Sequence, residues 1–407
     1  MFSSSMFNWS YWRDQIMLDP TITNLNTGSF GPLPKPVFAE VTRWRNYLAE
    51  EPTDFFVRKL PDPLWQARES LARFLGTIPE RTIFTSNVSA AINLVASSLK
   101  LFSPGEILLS DHEYGAMHWC WERVAQLQGL KLRTFPLPTL ATSEEEIVSA
   151  VMKAINSQTR LLFISHILSP TGLILPVKKI CKAARERGII SVVDGAHAPA
   201  MIDLKLDEIG ADFYGGNCHK WLLAPTGSGF LVVREGLMDR LVPLHVSWGY
   251  RLPSNNLDDR DEFGSTPRIR FLEFEGTRDP APWLTIPAAI RFQENIGFVP
   301  IRQQIRELSQ YVRKRMSEIA GFPEETPNHP DLSGALTAFR LPHSSPRAAT
   351  IWRKEIWKHR IEIPVIEKPD RLMIRFSTHF YNTRYEIDQL INRLPSILHE
   401  VNKLLSS

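Results

Sequence analysis

TRLLFISHILSPTGLILPVKKICKAARERGIISVVD, Thr159 to Asp194, is the stretch whose reading decides the fold. Two short apolar runs, TRLLFIS and IISVVD, flank the helical stretch KKICKAARERG. A strand, a helix and a second strand in this order belong to a parallel sheet. The alternation extends outward from about Arg81 to Val233. On the amino-terminal side stand TIFTS then SAAINLVASSLK, EILLS then MHWCWERVAQLQG, and LRTFPL; on the other side stand ADFYGG and GFLVVR. The pattern predicts an α/β fold, a large doubly wound, mainly parallel sheet with helices on both faces. Ligands of such sheets bind outside the carboxyl ends of the strands. After about Pro287 the pattern changes to long helical stretches such as IRQQIRELSQYVRKRMSEIA, then the strands ALTAFRL and RLMIRFS and a final helix from Tyr385. We therefore expect a large domain over residues 20–285 and a smaller α+β domain over 286–407, with 1–19 packing on the smaller one.

The totals narrow the function. A chain of 407 residues with 43% apolar content can build a well-buried core. Lysine and arginine number 47 against 44 acidic residues, a net +3 with no polybasic block. That argues against nucleic acid or a membrane surface as partner and for small molecules. No window approaches the roughly 18 apolar residues that span a bilayer. MFSSSMFNWSYWRDQ at the start has no basic region followed by an apolar stretch. A cytoplasmic location is expected. Cys120, Cys181 and Cys218 stand at unrelated spacings and read as reduced thiols, so neither a disulfide framework nor a metal site is expected.

Five places carry chemistry. Asp194 ends the run IISVV and is followed by GAHAP, which places a carboxylate and His197 at a strand tip. A carboxylate there can keep a heteroaromatic ring nitrogen protonated; a plain helix cap would look the same. Lys220 follows in YGGNCHKW. A lysine in a partly desolvated pocket has a lowered pKa and can form a Schiff base with a carbonyl, although most lysines are simply exposed. Asn87, Val88 and Ser89 lie between TIFTS and the next helix, where amide donors suit a phosphate. SDHEYGA sets His112 and Tyr114 at a strand tip, where an aromatic ring could stack on a flat cofactor. Arg375 in RLMIRFSTHF offers a fork that matches a carboxylate, whether a substrate's or a structural partner's.

DGAHAP, its spacing to GGNCHKW, and GSGFL downstream resemble the class V aminotransferase family of fold type I pyridoxal-phosphate enzymes. Within it LNTGSFGPLP (Leu25 to Pro34), DHEYGA, EGTRDPAP (Glu275 to Pro282) and RFSTHFYNT (Arg375 to Thr383) are similar to the isopenicillin N epimerase-like branch. The resemblance implies pyridoxal 5'-phosphate on Lys220, Asp194 at the pyridinium nitrogen and His197 near the phenolic oxygen. It implies a phosphate held by Asn87, Val88, Ser89, Asn217 and His219, with Thr277 reaching across from a second subunit of a homodimer. Tyr114, with His112 as runner-up, would stack on the ring, and Tyr114 is also the candidate for a second acid. Arg375, Asn26 and Ser29 would bind the substrate.

The reaction class then follows from charge. Lys220, Asp194 and an electron-sink cofactor generate a carbanion at the α-carbon of an amino acid. Epimerisation is the leading expectation; a carbon–sulfur lyase or an aminotransferase is the alternative. No cysteine follows Cys218, which disfavours a persulfide-forming desulfurase. A dinucleotide-dependent oxidoreductase is the distant alternative, because PTGSG (Pro225 to Gly229) leads into a strand rather than a helix.

Overall fold

The computed structural model describes residues 8–406, so the first seven residues of the segment expected to pack on the smaller domain lie outside the described residues. Seven strands form the large sheet: β1 (Thr82–Thr85), β2 (Glu106–Ser110), β3 (Lys131–Phe135), β4 (Thr159–Ser165), β5 (Ile190–Gly195), β6 (Phe213–Asn217) and β7 (Gly229–Val233). Their order across the sheet is β1-β7-β6-β5-β4-β2-β3. All neighbours run parallel except β7, which is antiparallel to β1 and β6. The expected mainly parallel α/β sheet is what the chain forms.

Burial on both faces explains why these strands, apart from the edge strand β3, read as largely apolar runs. Successive residues alternate between two cores, as the twofold period of a strand requires. Leu162, Ile164, Val193, Tyr214 and Phe230 enter one core. Leu161, Phe163, Val192, Phe213 and Leu231 enter the other. The helix Val177–Arg185 covers the first face with Val177, Ile180, Cys181 and Ala184 and leaves Lys178, Lys179 and Lys182 in solvent. The helix Val88–Ser98 covers the second face with Val88, Ala91, Ile92 and Val95.

A second sheet of β8 (Leu336–Arg340), β9 (Val365–Lys368) and β10 (Arg371–Ser377) is antiparallel, in the order β9-β10-β8. It shares a third core with Trp352, Ile387 and Leu390. The helix Phe298–Ser317 belongs to two cores, through Ile301 and Ile305 in the first and Leu308, Val312 and Met316 in the third.

The amino-terminal segment joins this second unit. Thr23 and Asn24 pair in parallel with Ile361 and Glu362, and Asn26 bridges to Ser377. Arg13 donates to both carboxylate oxygens of Glu386, at 2.9 and 2.8 Å, and Trp12 packs edge-on against Phe292. These contacts carry residues 28–30 to Arg375. A Cβ on Gly28 would lie 2.9 Å from the Ser377 hydroxyl and 3.0 Å from the Arg375 guanidinium, so only glycine lets the chain pass there. No helix among the described residues is long and apolar enough to cross a membrane.

Candidate active site

The carboxyl ends of β1, β4, β5 and β6 open on one cavity of about 440 Å³. Ser29, Asn87, Val88, Ser89, Tyr114 and Asp194 line it, together with His197, Asn217, His219, Lys220 and Arg375. Residues separated by almost the whole chain thus meet at one place. The expected site residues His112, Thr277 and Asn26 do not line it in this chain. His112 is buried with Nδ1 2.6 Å from Asp111 Oδ1. Thr277 is exposed on the surface. Asn26 donates from its side-chain amide to Glu362 at 2.9 Å.

Lys220 Nζ stands 3.3 Å from His197 Nε2. Burial lowers the lysine to about 8, opposed by the negative Asp194 and aided by the positive Arg375. An amine with that pKa is far more available as a nucleophile or base near neutrality than an ordinary lysine. Asp194 is buried at the tip of β5 and its Oδ1 accepts the Ala196 amide at 2.9 Å. Burial raises its carboxyl pKa, against the pull of the Ala196 N–H and Lys220. Such a carboxylate gains from a cationic partner placed beside it.

At the other end of the cavity the first turn of helix Val88–Ser98 is arranged by two asparagines. Asn217 Oδ1 accepts the Val88 amide at 2.8 Å, and Asn87 Oδ1 accepts the Ala90 amide at 3.0 Å. Between them lies the amide of Ser89, a first-turn donor that neither side chain takes. Gly229 permits this approach, because a Cβ there would sit 2.5 Å from the Asn87 backbone. His219 Nδ1 is buried beside the Ser228 backbone yet makes no hydrogen bond among the described residues. Burial pushes His219 down to about 4, so its ring is neutral.

Arg375 is buried on β10, where its Nη1 donates to the hydroxyl of Ser169 at 3.1 Å and to the Ser169 carbonyl, and its Nε donates to the Ser377 hydroxyl at 3.2 Å. It forms no ion pair among the described residues. Burial lowers its pKa to about 10, so it remains a cation at neutral pH. A buried guanidinium without a carboxylate is costly unless an anion completes it.

Sequence reasoning missed Glu113. Its fully buried carboxylate accepts from the Ser110 hydroxyl at 2.6 Å, the Ser165 amide at 2.9 Å and the Ser165 hydroxyl at 2.5 Å. Burial raises it to about 7, and the negative charge of Asp194 adds to the rise. Ser165 lines the cavity and is paired in register with Asp194. The only signal was a glutamate beside the aromatic of SDHEYGA, and nothing local marks it as buried.

The donor set fits pyridoxal phosphate: an amine for the aldehyde, a buried carboxylate for the ring nitrogen, and first-turn and histidine donors for the phosphate. An unsatisfied buried histidine nitrogen at the phosphate end is an observation independent of motif. Among the described residues, no cluster of three or more His, Cys, Asp or Glu is placed to hold a metal.

The chain is 51% identical over 394 residues to the isopenicillin N epimerase of Amycolatopsis lactamdurans, covering 96% of this chain and 98% of the relative. It is 50% identical over 396 residues to that of Streptomyces clavuligerus, covering 97% and 99%. It is also 31% identical over 339 residues to a probable cysteine desulfurase of Halalkalibacterium halodurans, covering 81% and 80%. Among solved structures, a complex of the cystine C–S lyase C-DES with cysteine persulfide shares the fold at a TM-score of 0.79 and 24% identity, over 92% of this chain and 97% of the other. The family model described as aminotransferase class-V matches residues 56–390. With that match and these relatives over nearly its whole length, the chain belongs to the class V aminotransferase family of pyridoxal-phosphate enzymes.

Proposed function

We propose that the protein inverts the configuration at the α-carbon of an amino-acid substrate, as the isopenicillin N epimerases it resembles are named for doing. One observation carries the reading: a buried guanidinium with no carboxylate partner, Arg375, shares a cavity with a lysine amine lowered to about 8. Arg375 and Ser29 take the substrate carboxylate and so set the orientation of the α-carbon. Lys220 would hold the cofactor, with Asp194 available to its ring nitrogen, His197 to its phenolic oxygen, and Asn87, Val88, Ser89, Asn217 and His219 to its phosphate. When bound there, the cofactor supplies an electron sink for the α-carbon. Lys220, released when the substrate amine takes its place on the cofactor, would be free to take the α-proton from one face. Tyr114, on the cavity wall, returns a proton to the other.

A homodimer in which Thr277 completes the partner's phosphate site belongs to the same proposal, as does a cytoplasmic location. The dimer is supported by the exposure of Val246 and Trp248, at 73% and 89%, in the stretch that leads toward Thr277. No cysteine lines the cavity, and burial pushes the Cys218 thiol well up, which works against a persulfide carrier.

The test is incubation with isopenicillin N and with single L-amino acids in deuterated water, followed by chiral analysis. Inversion with deuterium at the α-carbon and no keto acid is expected. Stoichiometric keto acid would make the enzyme an aminotransferase, and pyruvate with sulfide would make it a carbon–sulfur lyase.

A further inference from the structure

Trp221 follows Lys220 in the chain and is completely buried. Its indole Nε1 donates to Nδ1 of His197 at 3.3 Å. An indole nitrogen can only donate, so Nδ1 of His197 can only accept. A neutral imidazole has one proton, which must then sit on Nε2. That nitrogen is the one 3.3 Å from Lys220 Nζ. We infer that Trp221 is a positioning residue that fixes the tautomer of His197, keeping an Nε2–H turned toward the Lys220 amine and the reacting end of the cavity.

Two further arrangements support the inference. Burial first, then the nearby charges of Lys220 and Arg375, hold His197 well below the ordinary histidine pKa, so the ring is neutral and its tautomer is meaningful. Trp221 is itself clamped. Its carbonyl accepts from Gln293 Nε2 at 2.7 Å and from His379 Nε2 at 3.0 Å. His379 must donate through Nε2, because its Nδ1 accepts the Phe380 amide at 2.8 Å. The His379 ring stacks on the indole at 5.9 Å and on Tyr381 at 5.4 Å, and the Tyr381 hydroxyl meets the Thr27 hydroxyl at 2.5 Å. A ladder of rings therefore runs from the STHFY stretch to the catalytic amine. The assignment rests on these contacts and holds whichever reaction the cavity performs.

The tautomer has a consequence for Lys220. An Nε2–H facing the amine is compatible with neutral –NH2 as acceptor and opposed to –NH3⁺, which also only donates. Asp194 and Arg375 act on the same amine from β5 and β10, in opposite senses. Removing the indole N–H frees His197 to place its proton on Nδ1 and accept from –NH3⁺ through Nε2, which raises the lysine pKa.

The experiment uses full-length protein labelled with 15N-histidine and freed of cofactor, with long-range proton–nitrogen correlation spectra at pH 9, above the Lys220 value of about 8, and His197→Asn to assign the signal. A single Nε2–H pattern for His197 is expected; an Nδ1–H or doubly protonated ring in the unmutated protein overturns the inference without any need for the tryptophan variant. Trp221→Phe, which keeps the stacked ring, is expected to mix the tautomers and to move the pH midpoint of Lys220 acylation upward by about one unit, the equivalent of one lost hydrogen bond. With cofactor restored, kcat is expected to fall about tenfold, the scale for a lost orienting partner of a histidine, with KM unchanged. An unchanged tautomer and an unchanged midpoint in that variant would reduce Trp221 to packing. Because the spectra need no substrate, a wrong assignment of the reaction leaves them unaffected.

Discussion

Arg375 on β10 holds the hydroxyl of Ser169, four residues beyond β4, at 3.1 Å, and so ties the small sheet to the rim of the large one at the mouth of the cavity. In the proposed reading the rest of that guanidinium fork takes the substrate carboxylate. Arg375→Lys loses the fork while keeping a charge. We expect KM for the amino acid to rise by about tenfold or more, the equivalent of one charge-assisted hydrogen bond, with a smaller change in kcat. Steady-state kinetics check this, and an unaltered KM would move the carboxylate site elsewhere.

Lys220→Ala should abolish the visible band of the lysine-bound cofactor and the borohydride-reducible link, with turnover reduced at least about a hundredfold. The cofactor-free protein carries a further signature. The folded pKa of about 8 lies below the unfolded 10.5, so a buried ammonium opposes folding below pH about 8 and the penalty is relieved as pH rises from there toward 10.5. Lys220→Met, which keeps the chain's bulk, should therefore raise Tm over the cofactor-free parent at pH 7 and lose that advantage above pH 10. A Tm difference independent of pH would contradict the lowered pKa.

Glu113 gives the opposite slope. Its folded pKa of about 7 lies above the ordinary glutamate value of 4.5, so its protonation favours the fold fully below about 4.5 and that contribution disappears as pH rises through 7. Glu113→Gln stays neutral throughout. Urea unfolding should show this variant gaining on the parent between pH 5 and pH 8, and a gap that stays constant would mean the carboxyl is ionised across the range.

Asn217 joins the end of β6 to the first turn of the helix Val88–Ser98, since its side chain accepts the Val88 amide. Asn217→Ala removes that acceptor and should cost about 1 kcal/mol, as loss of a helix cap does. Cofactor affinity should fall with it, measured by fluorescence titration of the cofactor-free protein. Full affinity together with lowered stability would make Asn217 a structural cap alone.

The sheet was legible because burial on both faces leaves a mark on every strand but the edge strand β3, and the motifs after β1, β2, β4, β5 and β6 each send residues to the same cavity. Strand direction was less legible: GFLVVR reads the same whether β7 runs parallel or antiparallel, and only pairing decides. Glu113 stayed hidden because its partners Ser110 and Ser165 end β2 and β4, strands that are neighbours in the sheet and not in the chain. Between His112 and Tyr114 the resemblance ranked the tyrosine first and the histidine as runner-up. The fold turned the histidine to Asp111 and left the tyrosine on the cavity wall. The pairing of Thr23 and Asn24 with Ile361 and Glu362 is too short for any periodicity to announce it.

The helix Phe298–Ser317, embedded by one half in the large sheet's core and by the other in the small one's, is a brace common to both. Twenty residues at 1.5 Å each make a rod of about 30 Å. The sheet that carries Arg375 and the sheet beside Lys220 are packed on the same rod, so the spacing of the two cations depends on how both cores seat against one helix.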